Sequence, residues 1–166
     1  MASEPNLIPL NDSKRDPLPG AEDIGPADGS QTATVMVVLK PKTDSALADV
    51  MSADVRNHEY LTRSELAEQE GADPAVVKRV RQFAARNNLM VVEKPEQRTV
   101  ELTGTVDALS RAFGVKLRTF RTPEVTYRGR TGVVGVPANI VGDVVAVLGL
   151  DDRPQIRIKI VFASQR

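Results

Sequence analysis

The residues that could perform acid–base or nucleophilic chemistry are few and scattered in this sequence. His58 is the single imidazole, and no adjacent serine or cysteine offers it a nucleophile to activate. Glu65, Glu68 and Glu70 could act as paired acids, but their place on an alanine-containing helix favours a solvated helix face. The segment 103–105, Thr-Gly-Thr, is similar to fragments of nucleophile loops, yet a turn between a strand and a helix explains it. We expect none of these residues to be catalytic.

Motifs that would carry cofactor or metal chemistry do not occur in the sequence. It contains no phosphate-binding loop, no G-x-S-x-G, no H-E-x-x-H and no calcium-binding loop. Because it has no cysteine and one histidine, it excludes disulfides, thiolate metal sites, cysteine nucleophiles and a histidine cluster within one chain. We therefore expect no metal site and no cofactor.

Charge and aromatic content argue against nucleic acid and membrane partners. The 22 basic and 22 acidic residues cancel, so no overall field draws the chain to a polyanion or an anionic membrane. Aromatic residues make up 4% of the chain and tryptophan is absent, which leaves no stacking platform for RNA. The N-terminal region has no apolar run long enough for a signal segment or a membrane span. We expect a monomer when the chain is isolated.

The first third of the chain combines a proline-rich start with one clear strand. Residues 1–31 contain five of the 11 prolines and little apolar sequence, which predicts a flexible N-terminal arm. Residues 32–39 alternate as a strand does and carry apolar side chains on both faces, so an inner strand is expected. A helix could follow over residues 44–53, and a capping-box spacing predicts a short helix over residues 63–70.

A stronger helix begins at Asp73 and Pro74, an N-cap followed by a proline at the first helical position. We expect it to end near Asn88. Residues 89–93 and 98–103 then read as two antiparallel strands around a Lys-Pro-Glu-Gln turn. The pattern predicts that both strands belong to the sheet that the first strand begins.

The remaining elements complete the predicted fold. Thr105 as a cap and Gly114 as a left-handed end predict a second main helix. A last strand is expected over residues 115–120, followed by an extended arm and another helix ahead of Asp151. This order predicts an α+β ferredoxin-like sandwich, a four-stranded antiparallel sheet with two main helices on one face plus extra helices. The domain should cover residues 32–154.

The face of that sheet away from the helices should be open. By alternation, Lys116, Arg118 and Phe120 share one side of the last strand, and Val115 and Leu117 the other. A mixed charged and aromatic surface of this kind either meets a partner or is simply solvated. The residues predicted for a docking face are Met36, Glu101, Lys116, Arg118 and Phe120.

A series of motifs carries a more specific signal. They are YLTRSEL (60–66), VVKRVRQFAARNNLMVVE (76–93), TVELTGTVDALSRAFGV (99–115), TYRGRTG (126–132), VPANI (136–140) and VLGLDDRP (147–154). In this order and spacing the motifs resemble the pro-kumamolisin activation domain, the propeptide of the sedolisin family of serine-carboxyl peptidases. The resemblance covers about residues 32–154, and the tails on either side match less well.

The resemblance implies a prodomain that helps a secreted peptidase to fold and keeps it inactive until acid processing. Its partner would be the peptidase catalytic domain, outside the cell, although no signal peptide is visible in this sequence. The Ser-Glu-Asp set, the oxyanion aspartate and the S-G-T-S loop of such a peptidase have no counterpart here. We therefore expect the chain itself not to be an enzyme.

The resemblance also implies that the open sheet face docks on the peptidase and that residues 155–166 run as a linker through its substrate cleft. The isoleucines of this tail alternate with basic residues, which is the period of a strand that binds by backbone pairing. Without a partner, the same segment would be a fifth strand or a disordered end. The residues predicted to occupy the cleft are Arg153, Pro154, Gln155, Ile156, Arg157, Ile158, Lys159 and Ile160.

Activation by acid would require interface carboxylates that lose their ion pairs on protonation. These carboxylates would pair with the peptidase or with arginines of this chain. The candidate acids are Glu124, Asp143, Asp151 and Asp152, and the candidate arginines are Arg118, Arg128 and Arg130.

Two other function classes remain open from the residues alone. One is a stand-alone ferredoxin-like regulatory or ligand-binding module, which would need an effector site. The other is an enzyme with an unfamiliar acid pair, which would need a concave site with convergent polar groups. The sequence offers neither an effector loop nor such a polar set, so both rank below the propeptide hypothesis.

Overall fold

The structure is a computed structural model that describes residues 6–42, 64 and 71–154. In these residues the chain forms nine strands and two α-helices. The strands are β1 (Leu7–Pro9), β2 (Glu22–Pro26), β3 (Thr32–Leu39), β4 (Met90–Lys94), β5 (Thr99–Thr105), β6 (Leu117–Arg121), β7 (Thr126–Arg130), β8 (Gly135–Pro137) and β9 (Val144–Leu148). The helices are α1 (Pro74–Arg86) and α2 (Val106–Phe113), and two short 3₁₀ helices cover Pro95–Gln97 and Val141–Asp143.

A four-stranded antiparallel sheet forms the centre of the domain, with the strand order β4-β5-β3-β9. Counted along the chain, these are the second, third, first and fourth strands of a β-α-β-β-α-β unit. Both helices pack on the same sheet, where α1 contacts β4 and β5 and α2 contacts β5. This arrangement confirms the predicted ferredoxin-like sandwich.

Helix α1 begins and ends where local sequence signals place it. The Asp73 carboxylate accepts a hydrogen bond from the Ala75 N–H at 2.8 Å, and Pro74 occupies the first turn, where its missing N–H costs nothing. Asn87 follows the last helical residue. The apolar stripe that faces the sheet is buried and consists of Val76, Val77, Val80, Phe83 and Ala84.

Helix α2 is short and depends on both of its ends. The Thr105 hydroxyl accepts a hydrogen bond from the Ala108 N–H at 3.2 Å, and Gly114 takes the left-handed conformation at φ 60°. Its Phe113 packs edge-on against Phe83 of α1, with ring centroids 5.4 Å apart. The two helices therefore share one core above the sheet, and both helix predictions are confirmed.

The N-terminal segment differs from its prediction. Instead of a flexible arm, residues 7–9 pair with β8 and residues 22–26 pair with β6. Between them, Leu10 is buried in the core, and its N–H donates to the carbonyl of Val134 at 2.8 Å. The prediction for residues 1–31 is therefore wrong for residues 6–31. The prolines are tolerated because β1 and β2 are edge strands, where a missing N–H breaks no ladder.

The last part of the domain also differs. The strand predicted over residues 115–120 does not join the four-stranded sheet, because β6 lies between β2 and β7 in a separate three-stranded sheet. The fourth strand is instead β9, which pairs with β3 where a helix was predicted. Its sequence, Val-Val-Ala-Val-Leu, is rich in β-branched residues, which suit a strand better than a helix.

Several predictions fall on residues that the structure does not describe. They are the helices over residues 44–53 and 63–70, His58, and the acidic set at Glu65, Glu68 and Glu70. The predicted cleft-occupying residues after Pro154 also lie outside the described residues. These predictions stay open.

Two glycines, Gly149 in the turn after β9 and Gly132 between β7 and β8, should differ in their response to alanine. Gly149 and Gly132 both have positive φ, at 96° and 83°, so alanine strains either backbone by about 1–2 kcal/mol. A Cβ on Gly149 would lie 2.6 Å from the Thr34 carbonyl oxygen, whereas a Cβ on Gly132 meets nothing within 4 Å. We expect Gly149→Ala to reduce the free energy of unfolding by about 1–3 kcal/mol more than Gly132→Ala. Urea denaturation of both variants measures this difference, and equal losses would contradict it.

Candidate functional site

The face of the four-stranded sheet opposite the helices is open, and it is largely apolar. Cross-strand partners point to the same face, and Met36 of β3 stands opposite Glu101 of β5 and Leu148 of β9. On β4, Val92 stands opposite Glu101. We call this surface the open sheet face; its side chains are Thr34, Met36, Val38, Met90, Val92, Lys94, Thr99, Glu101, Thr103, Ala146 and Leu148.

Three large apolar side chains of the open sheet face are unusually exposed. Met90 is 75% exposed, Val92 52% and Leu148 48%. They stand on the two outer strands, and the half-buried Met36 lies between them. Isolated apolar side chains on a surface need no explanation, but a contiguous group on one sheet face is typical of an interaction surface.

Polar pairs cross the same face and fix its side chains. The Lys94 ammonium contacts the Glu101 carboxylate at 2.5 Å, and the hydroxyls of Thr34 and Thr103 are 2.7 Å apart. Both pairs join neighbouring strands, so they hold the register of β4, β5 and β3. The open sheet face is therefore an ordered, largely apolar surface on which these two polar pairs are satisfied within the chain, whereas the buried Thr99 hydroxyl has no partner among the described residues.

The structure brings together some of the predicted docking residues and separates others. Met36 and Glu101 are directly opposed on the open sheet face. Lys116 precedes β6, Arg118 lies on β6 with its guanidinium 2.9 Å from the Asp23 carboxylate, and Phe120 is buried against Tyr127. The prediction that these three share the face of Met36 is wrong. Strand β6 pairs with β2 and β7 rather than with β3.

Met90, Val92 and Leu148 were missed by the sequence prediction. Around them, apolar residues occupy both faces of the strand, as in Met90-Val91-Val92, so the pattern does not say which side faces solvent. The signal that could have found the first two is the acidic Glu93 directly after Val92, which faces the helix side and binds Arg81 of α1. Because side chains alternate along β4, that ion pair shows that Met90 and Val92 point to the opposite face of the sheet.

The chain leaves the domain through a tightly bonded segment that we call the exit turn, residues 151–154. Asp151 accepts hydrogen bonds from the Arg153 backbone N–H and from its guanidinium, at 2.9 Å to Oδ1 in both cases. Arg153 also lies over the Tyr127 ring, 5.5 Å from its centroid, and donates to the Asp16 carbonyl at 3.1 Å. The exit turn is thereby bound to β7 and to the N-terminal segment.

A second attachment holds the exit turn against β7. The Asp152 N–H donates to the Arg128 carbonyl at 2.9 Å, and the Asp152 carboxylate accepts from the Arg128 N–H. The Arg128 guanidinium donates to the Leu150 carbonyl at 3.1 Å. The structure therefore fixes the position of Arg153, the first of the predicted cleft-occupying residues.

The carboxylates predicted to take part in acid activation bind groups within this chain. Asp143 pairs with Arg79 at 3.0 Å, and Glu124 accepts from the Thr122 hydroxyl at 3.2 Å. Asp151 and Asp152 pair with Arg153 and Arg128, and Arg118 pairs with Asp23. An additional pairing with a peptidase stays a prediction.

Pairing with arginine lowers the pKa of three acids of the described residues, Asp23, Glu93 and Asp151. A hydrogen bond from Arg118 lowers the pKa of Asp23, with a smaller effect from the Gly25 N–H. A hydrogen bond from Arg81 lowers the pKa of Glu93 in the same way. Burial raises the pKa of Asp151, but the hydrogen bonds and charge of Arg153 outweigh that effect, so the pKa is lowered overall. These acids stay ionised to lower pH than ordinary carboxyl groups do.

Residues that could hold a metal ion do not cluster in the part of the chain that the structure describes: no group of three or more histidine, cysteine, aspartate or glutamate side chains converges there. Within the same residues, no helix has the length and apolar character that crossing a bilayer requires.

Comparison with known proteins gives the family of the chain. The model of the pro-kumamolisin activation domain matches residues 19–153. Kumamolisin from Bacillus sp. (strain MN-32) is 38% identical over 144 residues, which cover 84% of this chain and 26% of kumamolisin. The chain thus spans about a quarter of the length of that relative. With a match over most of the chain and the ferredoxin-like fold in place, the chain belongs to the pro-kumamolisin activation domain family.

Proposed function

We propose that this chain is the propeptide of a secreted, acid-acting sedolisin-type serine-carboxyl peptidase, and that it serves as an intramolecular chaperone and autoinhibitor removed on acid activation. In this role the chain acts outside the cell, binds the peptidase catalytic domain and is not itself an enzyme. Family membership supports the proposal, as does the similarity to one part of kumamolisin. The observation that carries it is the exposed, ordered apolar surface of the open sheet face.

The open sheet face has the properties of a docking surface. Its exposed apolar side chains lie on one hydrogen-bonded sheet, so the backbone that presents them needs no ordering when a partner covers them. Burying them against a partner removes apolar surface from water at about 25 cal/mol per Å². The polar pair of Lys94 and Glu101 and the threonine pair are already satisfied within the chain, so burial leaves none of these groups unpaired.

The exit turn supports the second part of the proposal, in which residues 155–166 occupy the substrate cleft. Arg153 is fixed by the Asp151 carboxylate, the Tyr127 ring and the Asp16 carbonyl. A linker that starts from a fixed point has a higher effective concentration near its binding site than a free peptide has. We propose that Gln155, Ile156, Arg157, Ile158, Lys159 and Ile160 pair along the cleft after this fixed start.

Inhibition of a mature sedolisin-type peptidase such as kumamolisin tests the docking surface. Val92→Lys places a charge on the open sheet face, within the proposed contact, where docking would strip it of water. We expect this variant to weaken inhibition by about tenfold to a hundredfold, with the free energy of unfolding within about 0.5 kcal/mol of the wild type because Val92 is half-exposed. Inhibition constants of the purified variants give the result.

Ile24→Lys is the matched control for that substitution. Ile24 is 43% exposed and lies on β2, in the separate three-stranded sheet. The same charge there should leave inhibition unchanged. Equal weakening by both substitutions would show that charge alone acts, and it would reject the open sheet face as the contact. A chain shortened after Pro154 measures the separate contribution of the linker.

A further inference from the structure

Arg130, at the end of β7, is a buried cation whose hydrogen-bonding capacity is largely unused. It is 5% exposed, and its Nη1 donates to the Gly132 carbonyl at 2.9 Å. Its Nε is buried and finds no acceptor among the described residues. Burial, followed by the charge of Arg15, lowers the pKa of this guanidinium, yet arginine keeps its charge in proteins. A buried charge without a counter-charge is costly, so the site favours an anion.

The neighbouring charges leave Arg130 without a carboxylate of its own. Arg15 and Arg153 both act on it as like charges, and Asp151 is the acid that opposes them. However, Arg153 binds both oxygens of Asp151 through its Nε at 2.9 Å. Arg15, Arg130 and Arg153 thus lie near a single acid, Asp151, and Arg153 already binds that acid.

A small cavity adjoins Arg130 and could receive such an anion. It has a volume of about 110 Å³ and lies between the N-terminal segment around Ser13 and strand β9. Arg15 and Arg130 line it, and Leu148 of the open sheet face forms part of its border. Asp12 also lines the cavity but forms no ion pair with Arg130 in the described part of the chain.

We propose that this cavity binds a carboxylate group, which the Arg130 guanidinium holds together with Arg15. A planar carboxylate matches the fork of a guanidinium and takes two hydrogen bonds from it. The volume suits one such group with one or two water molecules, since a water occupies about 30 Å³ in the liquid. Either a free small carboxylic acid or an aspartate or glutamate side chain of a docked partner supplies this chemistry. The second source rests on the proposed function, because the cavity borders the open sheet face.

The first experiment tests the site in the isolated chain. Thermal unfolding is followed at neutral pH in sodium acetate and in sodium chloride of equal ionic strength. We expect acetate to raise the Tm of the wild type by about 2–4 °C over chloride, in a saturable way. Arg130→Gln should abolish this difference, and Arg130→Lys, which keeps the charge but loses the fork, should reduce it. Lys116→Gln removes the same charge from an exposed position and should respond as the wild type does.

The second experiment measures inhibition of the mature peptidase by the same variants. If the partner supplies the carboxylate, Arg130→Gln weakens inhibition by about tenfold or more, while Lys116→Gln changes it by less than about twofold. An effect in either experiment supports the site. The acetate shift identifies a free carboxylic acid as a ligand, and weakened inhibition identifies a carboxylate of the partner. No acetate-specific shift together with equal inhibition by both variants overturns the site. A wild type that inhibits no peptidase overturns the proposed function, and the acetate experiment then decides the site alone.

Discussion

Replacing Phe113 with alanine is expected to reduce the free energy of unfolding by about 3–5 kcal/mol. Phe113 is 1% exposed and is among the largest fully buried side chains of the described residues. Its ring meets Phe83 at an interplanar angle of 67°, an edge-on contact that adds to the apolar area it buries. Alanine would leave a cavity where this aromatic pair joins the two helices.

The loss in the free energy of unfolding should exceed the contribution of a single contact, because helix α2 is stable only when it packs against the rest of the domain. With eight residues, it is too short to be stable alone, and its caps contribute only about 1 kcal/mol each. Domains of this size have total stabilities of about 5–15 kcal/mol. Phe113→Ala should therefore remove a large share of the stability of the domain.

Urea denaturation of the purified variant measures the effect. Met90→Ala is the control, since it truncates an apolar side chain that is 75% exposed and should stay within about 0.5 kcal/mol of the wild type. A loss below about 1 kcal/mol for Phe113→Ala would mean that the helices are held by other contacts than this aromatic pair.

Local signals account for the elements that the sequence predicted correctly. Asp73 with Pro74 and Thr105 with Gly114 specify helix ends by hydrogen bonds and backbone conformations within a few residues of each other. The strands β3, β4 and β5 carry enough strand character in their sequences to be recognised. Those elements cover most of the ferredoxin-like unit.

Long-range pairing decided the elements that were predicted wrongly. The β9 sequence has valines on both sides of the chain, and it becomes a strand because the free edge of β3, over a hundred residues earlier, offers it hydrogen bonds. In the same way β2 is ordered by pairing with β6. The sequence around residues 22–26 is polar and proline-bounded, so nothing local indicates that pairing.

Long-range strand pairing also decides which of the predicted docking residues share a face. In the structure Met36 and Glu101 stand opposite each other on the open sheet face. Alternation could not assign Lys116, Arg118 and Phe120 to a sheet, because one strand can alternate identically in either sheet. Buried charges such as Arg130 are invisible to pattern analysis, since a Tyr-Arg-Gly-Arg strand reads as a solvated one.

The other large expected effect is that of Asp151→Asn, which breaks the ion pair of the exit turn. The Asp151 and Arg153 side chains are 9% and 15% exposed, so this pair is largely removed from water. Asparagine keeps one acceptor but leaves Arg153 charged beside Arg130 and Arg15. Breaking a buried pair by removing one partner costs about 3–5 kcal/mol, and we expect a loss near the lower end of that range.

This loss should depend on pH in a defined direction. The pKa of Asp151 is lowered in the folded chain, so its charge stabilises the fold at pH values above the unfolded pKa of about 3.9. As pH falls through the folded pKa, the wild type protonates and loses this contribution. The wild type and Asp151→Asn should therefore differ most at neutral pH and converge in acid.

Denaturation of both proteins from neutral to acid pH tests the prediction, with Asp152→Asn as the matched control. Asp152 is the neighbouring acid, is 51% exposed and lies 3.7 Å from the Arg128 guanidinium, so its loss should cost less than about 1 kcal/mol. A difference between wild type and Asp151→Asn that stays constant down to acid pH would show that shape, not charge, holds the exit turn. Convergence in acid would instead mean that the start of the proposed cleft-occupying linker loosens under the conditions in which the propeptide is proposed to be removed.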